Sequence, residues 1–135
     1  MGARAAWIDI DLDAVRHNVG YLRSLVGETK VMVVVKANGY GHGAVQVAEA
    51  ALEAGAHGLC VALVQEGIEL RRAGIESPIL VLSEQPLDQV GDIVAHGLIA
   101  TAYSVSFIDA LEHEARLRNV VGQEVHLKID TGMNR

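Results

Sequence analysis

Residues 31–43, VMVVVKANGYGHG, hold the side chain best placed for chemistry, Lys36. Five apolar residues lead into it, and Gly39, Gly41 and Gly43 follow. A continuous apolar run of this kind reads as a strand buried on both faces. Lys36 is then delivered to the carboxyl end of a strand, where parallel α/β proteins place their active sites. Against an apolar wall an ammonium loses hydration, which favours the neutral amine. A neutral amine is the nucleophile that condenses with an aldehyde. The glycines permit tight turns and close approach to a ligand. Their G-x-G-x-G spacing matches neither the dinucleotide fingerprint nor a P-loop, so spacing alone does not establish phosphate binding. The residues by themselves leave a plainer alternative open, a solvated lysine followed by an ordinary glycine turn.

A second cluster lies near the end of the chain. In VHLKID, residues 125–130, strand geometry puts His126, Lys128 and Asp130 on one face and Val125, Leu127 and Ile129 on the other. Unpaired charge is costly to bury. Either this face looks into a polar site, or the strand lies at an edge with one face in water.

Both clusters need a frame to hold them. Apolar, β-branched runs at Val31–Val35, Gly58–Leu63, Pro78–Leu82, Leu98–Ala102 and Val125–Ile129 read as strands. Between them run helical stripes: Ala44, Ala48, Ala51 and Leu52; Leu87, Val90 and Val94; Val105, Ile108, Leu111 and Ala115. Gly55, Gly74 and Gly97 stand where helices should stop. WIDIDL, residues 7–12, alternates apolar and acidic residues and reads as a half-exposed leading strand. It feeds a helix with Leu12, Val15, Val19 and Leu22 on one face. The strand–helix rhythm is that of a parallel α/β sheet or barrel with right-handed crossovers. A closed eight-stranded barrel needs about 250 residues, so five strands imply either an open doubly wound sheet or part of a longer protein.

Composition excludes other classes. Half of the 135 residues are hydrophobic and the formal net charge is −6, which supports a packed core and argues against a nucleic-acid or anionic-membrane surface. The single cysteine, Cys60, cannot form an internal disulfide and reads as a buried strand residue. No apolar stretch approaches the roughly 18 residues of a membrane span, and the start lacks a signal-peptide core. The expectation is a soluble cytoplasmic protein.

Three segments carry a resemblance to a known family. VVKANGYGHG resembles the cofactor-lysine motif of the alanine racemases, WIDIDLDAVRHN their opening segment, and KIDTGMNR their mid-barrel motif. The three occur in the family's order and together span nearly the whole chain. Asn134 is a mild departure, since the family commonly has His or Gly before the arginine.

The resemblance implies an α/β fold, a (β/α)8 TIM-type barrel of which residues 1–135 supply about the first five strand–helix units. Residues 1–12 would form a leading strand that packs with a carboxyl-terminal β domain. It implies that Lys36 binds pyridoxal 5'-phosphate (PLP) and that Tyr40 lies near the cofactor phosphate. Arg135 would reach the substrate carboxylate and the cofactor's phenolic oxygen. Lys128 matches a lysine that is often carbamylated, and a carbamate beside an arginine replaces cation–cation repulsion with a charge-assisted pair. His42 is read as loop architecture. The implied activity is interconversion of L- and D-alanine, supplying D-alanine for peptidoglycan, by a homodimer. In the family a second base, a tyrosine, comes from the partner subunit's carboxyl-terminal domain, and neither Tyr21 nor Tyr103 lies in a matching motif. These residues alone are therefore expected to be inactive.

Other readings compete. A serine or broad-specificity amino-acid racemase would share Lys36 and the arginine loop. A non-catalytic PLP-binding barrel protein would share the lysine strand, but not the ANGYGHG run or the DTGMNR loop. A structural domain would bind no cofactor at all.

Overall fold

The computed structural model describes residues 6–134. Asp11 starts the first helix, α1 (Leu12–Val26), because its carboxylate accepts the N–H groups of Asp13 and Ala14 at 2.9 and 3.0 Å. The segment read as a strand therefore ends no later than Asp11, since Leu12 is the first residue of α1. Residues 6–11 have no ladder partner among the described residues, Leu12 is already helical, and Trp7 and Ile8 are exposed. Residues 1–5 of that proposed strand lie outside the described residues. Asp11→Ala should lower stability by about 1 kcal/mol. An unchanged denaturant midpoint would show that the cap is not formed in solution.

Five strands follow: β1 (Met32–Val34), β2 (Gly58–Val61), β3 (Ile79–Val81), β4 (Ala100–Ala102) and β5 (Val125–Leu127). Each falls inside an apolar run read from the sequence. All pairings are parallel. β1 pairs with β2 and β2 with β3; β4 pairs with β5. The Leu80–Ile99 bridge, with Val81 N–H donating to Ile99 O, joins the two groups. Strand order therefore follows chain order without a reversal. Gly58 is required by a close approach: a Cβ there would lie 2.6 Å from Pro78 O.

Between the strands lie a single turn, α2 (Lys36–Tyr40), and the helices α3 (Ala44–Glu53), α4 (Val64–Arg72), α5 (Val90–Ala95) and α6 (Val105–Leu117). The main core joins Leu59, Val61, Ile79, Val81, Ala100 and Ala102 of the strands to Ala48, Ile68, Ile93, Phe107 and Leu111 of the helices. α1 packs through Val19 on Ala51, with Val33 of β1 against that cluster. The alternate strand residues, Cys60, Leu80 and Ile99 with Met32, form a separate cluster containing no helical residue. Among the described residues, helices thus cover one face of the sheet only. A doubly wound fold covers both faces and reverses its strand order at a switch point, so that alternative is set aside. Cys60 is buried in β2, as its apolar context implies.

The amino-terminal side of the sheet is tied by Arg71. Its Nη1 donates to Ile75 O and Ser77 O at 2.7 and 2.8 Å, its Nε to His96 O at 3.0 Å, and its Nη2 to Gly97 O at 3.0 Å. One guanidinium therefore joins the loop before β3 to the loop before β4. No helix among the described residues is long and apolar enough to cross a membrane.

Candidate active site at the strand carboxyl ends

Val35 continues the β1 ladder, its N–H donating to Cys60 O at 2.9 Å, and Lys36 follows at once. The chain then turns in an unusual way. Ala37 (φ 51°, ψ 49°), Asn38 (φ 53°, ψ 47°), Gly39 (φ 61°, ψ 38°) and Tyr40 (φ 56°) are all left-handed. Residues 37–40 therefore make a left-handed turn, and each of the non-glycine residues Ala37, Asn38 and Tyr40 costs roughly 1 kcal/mol or more. Gly39 relieves one position, where a Cβ would also crowd Ala44 N at 3.3 Å. Local bonds close the turn. Gly39 N–H donates to Val35 O at 2.8 Å, Gly43 N–H to Asn38 O at 2.9 Å, and Ala44 N–H to the Asn38 side-chain oxygen at 2.9 Å. His42 Nδ1 lies 2.8 Å from Gly39 O, in keeping with its reading as loop architecture.

All five strands contribute to a cavity of about 670 Å³ at their carboxyl ends. Lys36 enters after β1, Ala62 after β2, Leu82 and Ser83 after β3, Tyr103 after β4, and Lys128 and Asp130 after β5. Two lysines far apart in sequence thus line one pocket of the size that holds small ligands. No ion pair among the described residues includes Lys36 or Lys128. Lys36 is half-buried and Lys128 exposed.

Tyr40 is 59% exposed and is not among the residues lining this cavity. Its ring centroid lies 6.0 Å from Lys36 Nζ, at the outer limit of a cation–π contact. His126 also departs from expectation. It lines a different cavity, of about 630 Å³, with Lys30, His57 and Glu124. The polar face of VHLKID therefore divides, with Lys128 and Asp130 at the lysine cavity and His126 elsewhere. β5 is an edge strand, so the two readings of this segment describe different parts of it. Arg135 lies outside the described residues. The turn before it is ordered by Asp130, which accepts from Gly132 N–H at 2.9 Å and Asn134 N–H at 3.1 Å. Those bonds, with a smaller contribution from the Lys128 charge, hold the Asp130 carboxyl below its ordinary range.

Sequence reasoning missed the side chains that hold the rim together. Glu66 accepts from Ala37 N–H at 2.6 Å and from Ala62 and Leu63 N–H at 2.8 and 3.1 Å, joining the ends of β1 and β2. Gln85 donates to Ala62 O and Ser83 O at 3.2 and 2.9 Å, joining β2 to β3. Glu84 accepts from Tyr103 N–H, Ser104 N–H and the Ser104 hydroxyl at 2.7–2.8 Å, joining β3 to β4. The available signal was weak: Glu66 stands three residues after Leu63, the position from which a side chain reaches back to a helix start. Tyr103 lies in no family motif, yet it follows β4 directly and faces the pocket.

Burial raises the Glu84 carboxyl, but its bonds from Tyr103 and Ser104 outweigh this and hold it below the usual carboxylate range. A folded-state pKa below the unfolded value stabilises above the unfolded pKa, and that contribution is lost as pH falls through the folded pKa. Glu84→Gln should therefore flatten the stability profile below about pH 5. Equal acid slopes for variant and parent would contradict this role.

A lysine and further polar groups gathered at the carboxyl ends of consecutive parallel strands, with helices on one face, define an α/β domain of the barrel type. Comparison with known proteins narrows the class. The family described as "Alanine racemase, N-terminal domain" matches residues 10–135. The chain is 48% identical over 132 residues to the alanine racemase of Desulforamulus reducens, covering 96% of this chain and 35% of that protein. Alanine racemase from Clostridium difficile 630 superimposes with a TM-score of 0.88 at 38% identity, over 93% of this chain and 33% of that one. Alanine racemase from Bacillus anthracis with bound L-Ala-P gives 0.83 at 34% identity, over 100% and 35%. The chain belongs to the alanine racemase amino-terminal domain family. It spans about a third of the length of these relatives.

Proposed function

We propose that this chain is the amino-terminal part of a PLP-dependent alanine racemase in which Lys36 holds the cofactor and serves one face of the substrate. The observation that carries the reading is Lys36 itself. It has no ion-pair partner among the described residues and lines a cavity to which every strand contributes. The bound L-Ala-P of the Bacillus anthracis relative supports an alanine-like ligand. Sequential strand order and single-sided helices support reading the five strands as the first five units of a (β/α)8 barrel. Leu127 and Ile129 of the edge segment, 66% and 73% exposed, offer apolar surface for the next units. Residues 6–11, with exposed Trp7 and Ile8, would pack against a carboxyl-terminal β domain.

The residues present fit the cofactor. An amine without a counter-ion can attack an aldehyde, Ala62 and Leu82 supply apolar wall, and Ser83 and the left-handed turn supply polar groups near it. Lys36 would hold the aldehyde carbon and Tyr40 would bond the phosphate. When bound, PLP supplies an electron sink that acidifies the hydrogen on the substrate α-carbon. The freed Lys36 amine then takes that proton from one face or returns it. Arg135 would bind the substrate carboxylate. The Lys128 amine would add to carbon dioxide, forming an N–C bond and losing one proton, to leave an anion that pairs with the arginine. The second base, a partner-subunit tyrosine in a homodimer, serves the opposite face. The assembled enzyme would act in the cytoplasm on alanine, feeding D-alanine to peptidoglycan.

The test is chiral analysis of L-alanine incubated with PLP and the full-length protein, with L-serine in parallel. D-alanine forming at least ten times faster than D-serine supports the reading. Serine in excess would replace it with the related serine or broad-specificity racemase, and no conversion of either would overturn it.

A further inference from the structure

Left-handed backbone at Ala37, the residue directly after Lys36, needs something to hold it. The local bonds of the turn leave the Ala37 N–H without a partner inside it, as at the start of any helix. Glu66 supplies that partner from a different element. Its Oε1 accepts from Ala37 N–H at 2.6 Å, while Oε2 accepts from Ala62 N–H and Leu63 N–H at 2.8 and 3.1 Å. The two oxygens thus divide between two strand ends. One grips the peptide unit next to the lysine, and the other is anchored on the corner between β2 and α4. Glu66 is half-buried and makes none of the α4 core contacts itself, which come from Val64, Gly67, Ile68 and Leu70.

We propose that Glu66 is a positioning residue for Lys36, fixing the left-handed peptide that follows the lysine and so setting its aim into the cavity. The proposal rests on the reading of Lys36 as the cofactor lysine. It assigns Glu66 no contact with cofactor or substrate. Two consequences separate this role from a general structural one. The effect of losing Glu66 should fall on the reaction of Lys36 rather than on folding. It should also depend on how hard residue 37 is to keep left-handed, because glycine adopts that conformation without penalty.

The experiment uses the full-length protein stripped of cofactor, with pyridoxal phosphate itself as the probe. Attachment to Lys36 is followed by borohydride trapping and peptide mapping, and the pH midpoint of the visible band is recorded. Glu66→Gln keeps the side chain's shape but cannot accept at both oxygens. Glu66→Asp keeps the charge but is too short to span both strand ends. Both should slow attachment at least ten-fold and shift the pH midpoint. Asp11→Ala, a remote variant with its own loss of stability, should attach at the parent rate. In an Ala37→Gly background the Glu66→Gln loss should shrink to less than three-fold. Parent-like attachment in both Glu66 variants overturns the proposal, and so does a Glu66→Gln loss that is the same with and without Ala37→Gly. A parent protein that carries no label on Lys36 overturns the cofactor-lysine reading itself, a separate outcome.

Discussion

Lys36→Ala should lower kcat/KM for alanine racemisation by about 10⁴-fold or more in the full-length protein, because on the proposed function it removes the covalent anchor and a proton carrier together. Lys36→Arg should fare no better. A guanidinium stays charged at working pH and is neither the nucleophile nor the base that the site requires. The loss should appear in kcat more than in KM, since Arg135 and the rest of the pocket would still bind substrate. The position of Lys36 supports this: a half-buried amine with no ion-pair partner among the described residues, lining a cavity shared by all five strand ends. A Lys36→Ala enzyme that racemises within ten-fold of the parent would mean that another amine does the work. Lys128, on the same cavity, would be the first to examine.

The second large effect concerns stability. Arg71→Met should destabilise the protein by about 3 kcal/mol, because it strips the charged donor from four backbone carbonyls and keeps only the aliphatic stem. Hydrogen bonds from charged groups contribute more than neutral ones, and no other residue joins these two loops through its side chain among the described residues. Arg71→Lys should recover part of the loss, since an ammonium cannot reproduce the planar fork. Equilibrium denaturation of parent and variants measures this. A loss below 1 kcal/mol for Arg71→Met would show that water replaces the guanidinium at little cost. Activity per folded molecule should be nearly unchanged, because these bonds lie on the side of the sheet away from Lys36.

Much of the frame was legible because burial imposes a simple pattern. Each of the five apolar runs contains a strand; β2, β3 and β4 are buried throughout, whereas β5 is exposed at the edge. α4 was harder to read. VQEGIELRR carries four charges and an internal glycine, so its buried residues Val64, Gly67, Ile68 and Leu70 make a poor stripe. WIDIDL was legible only in part. Its alternation resembles a strand, but Asp11 uses its carboxylate as a helix cap, a choice that period alone does not reveal.

The site divides along the same physical line. Lys36 was found because it ends an apolar run, and Lys128 because it alternates with Val125, Leu127 and Ile129 and lies in a segment that resembles the family's mid-barrel motif. Their meeting in one cavity depends on sheet order, which local sequence does not encode. The rim side chains Glu66, Glu84 and Gln85 were missed because each bonds, besides any near neighbour, a strand end distant in sequence: Glu66 reaches Ala37, 29 residues away, Glu84 reaches Tyr103, 19 away, and Gln85 reaches Ala62, 23 away. The left-handed turn was only half legible. Glycines 39, 41 and 43 do take positive φ, as their spacing suggested, but so do Ala37, Asn38 and Tyr40. Asn38, before Gly39, is of a residue type that tolerates left-handed backbone. The alanine before it gave no warning, because its conformation is imposed by neighbours rather than chosen by its own side chain.

Whether Lys36 carries the cofactor decides the rest. Borohydride reduction of the PLP-loaded full-length protein, followed by peptide mapping, tests it directly. The expected result is loss of the visible absorbance band and a single stable phosphopyridoxyl label on the peptide containing Lys36. A label on Lys128 or on no lysine at all would contradict it.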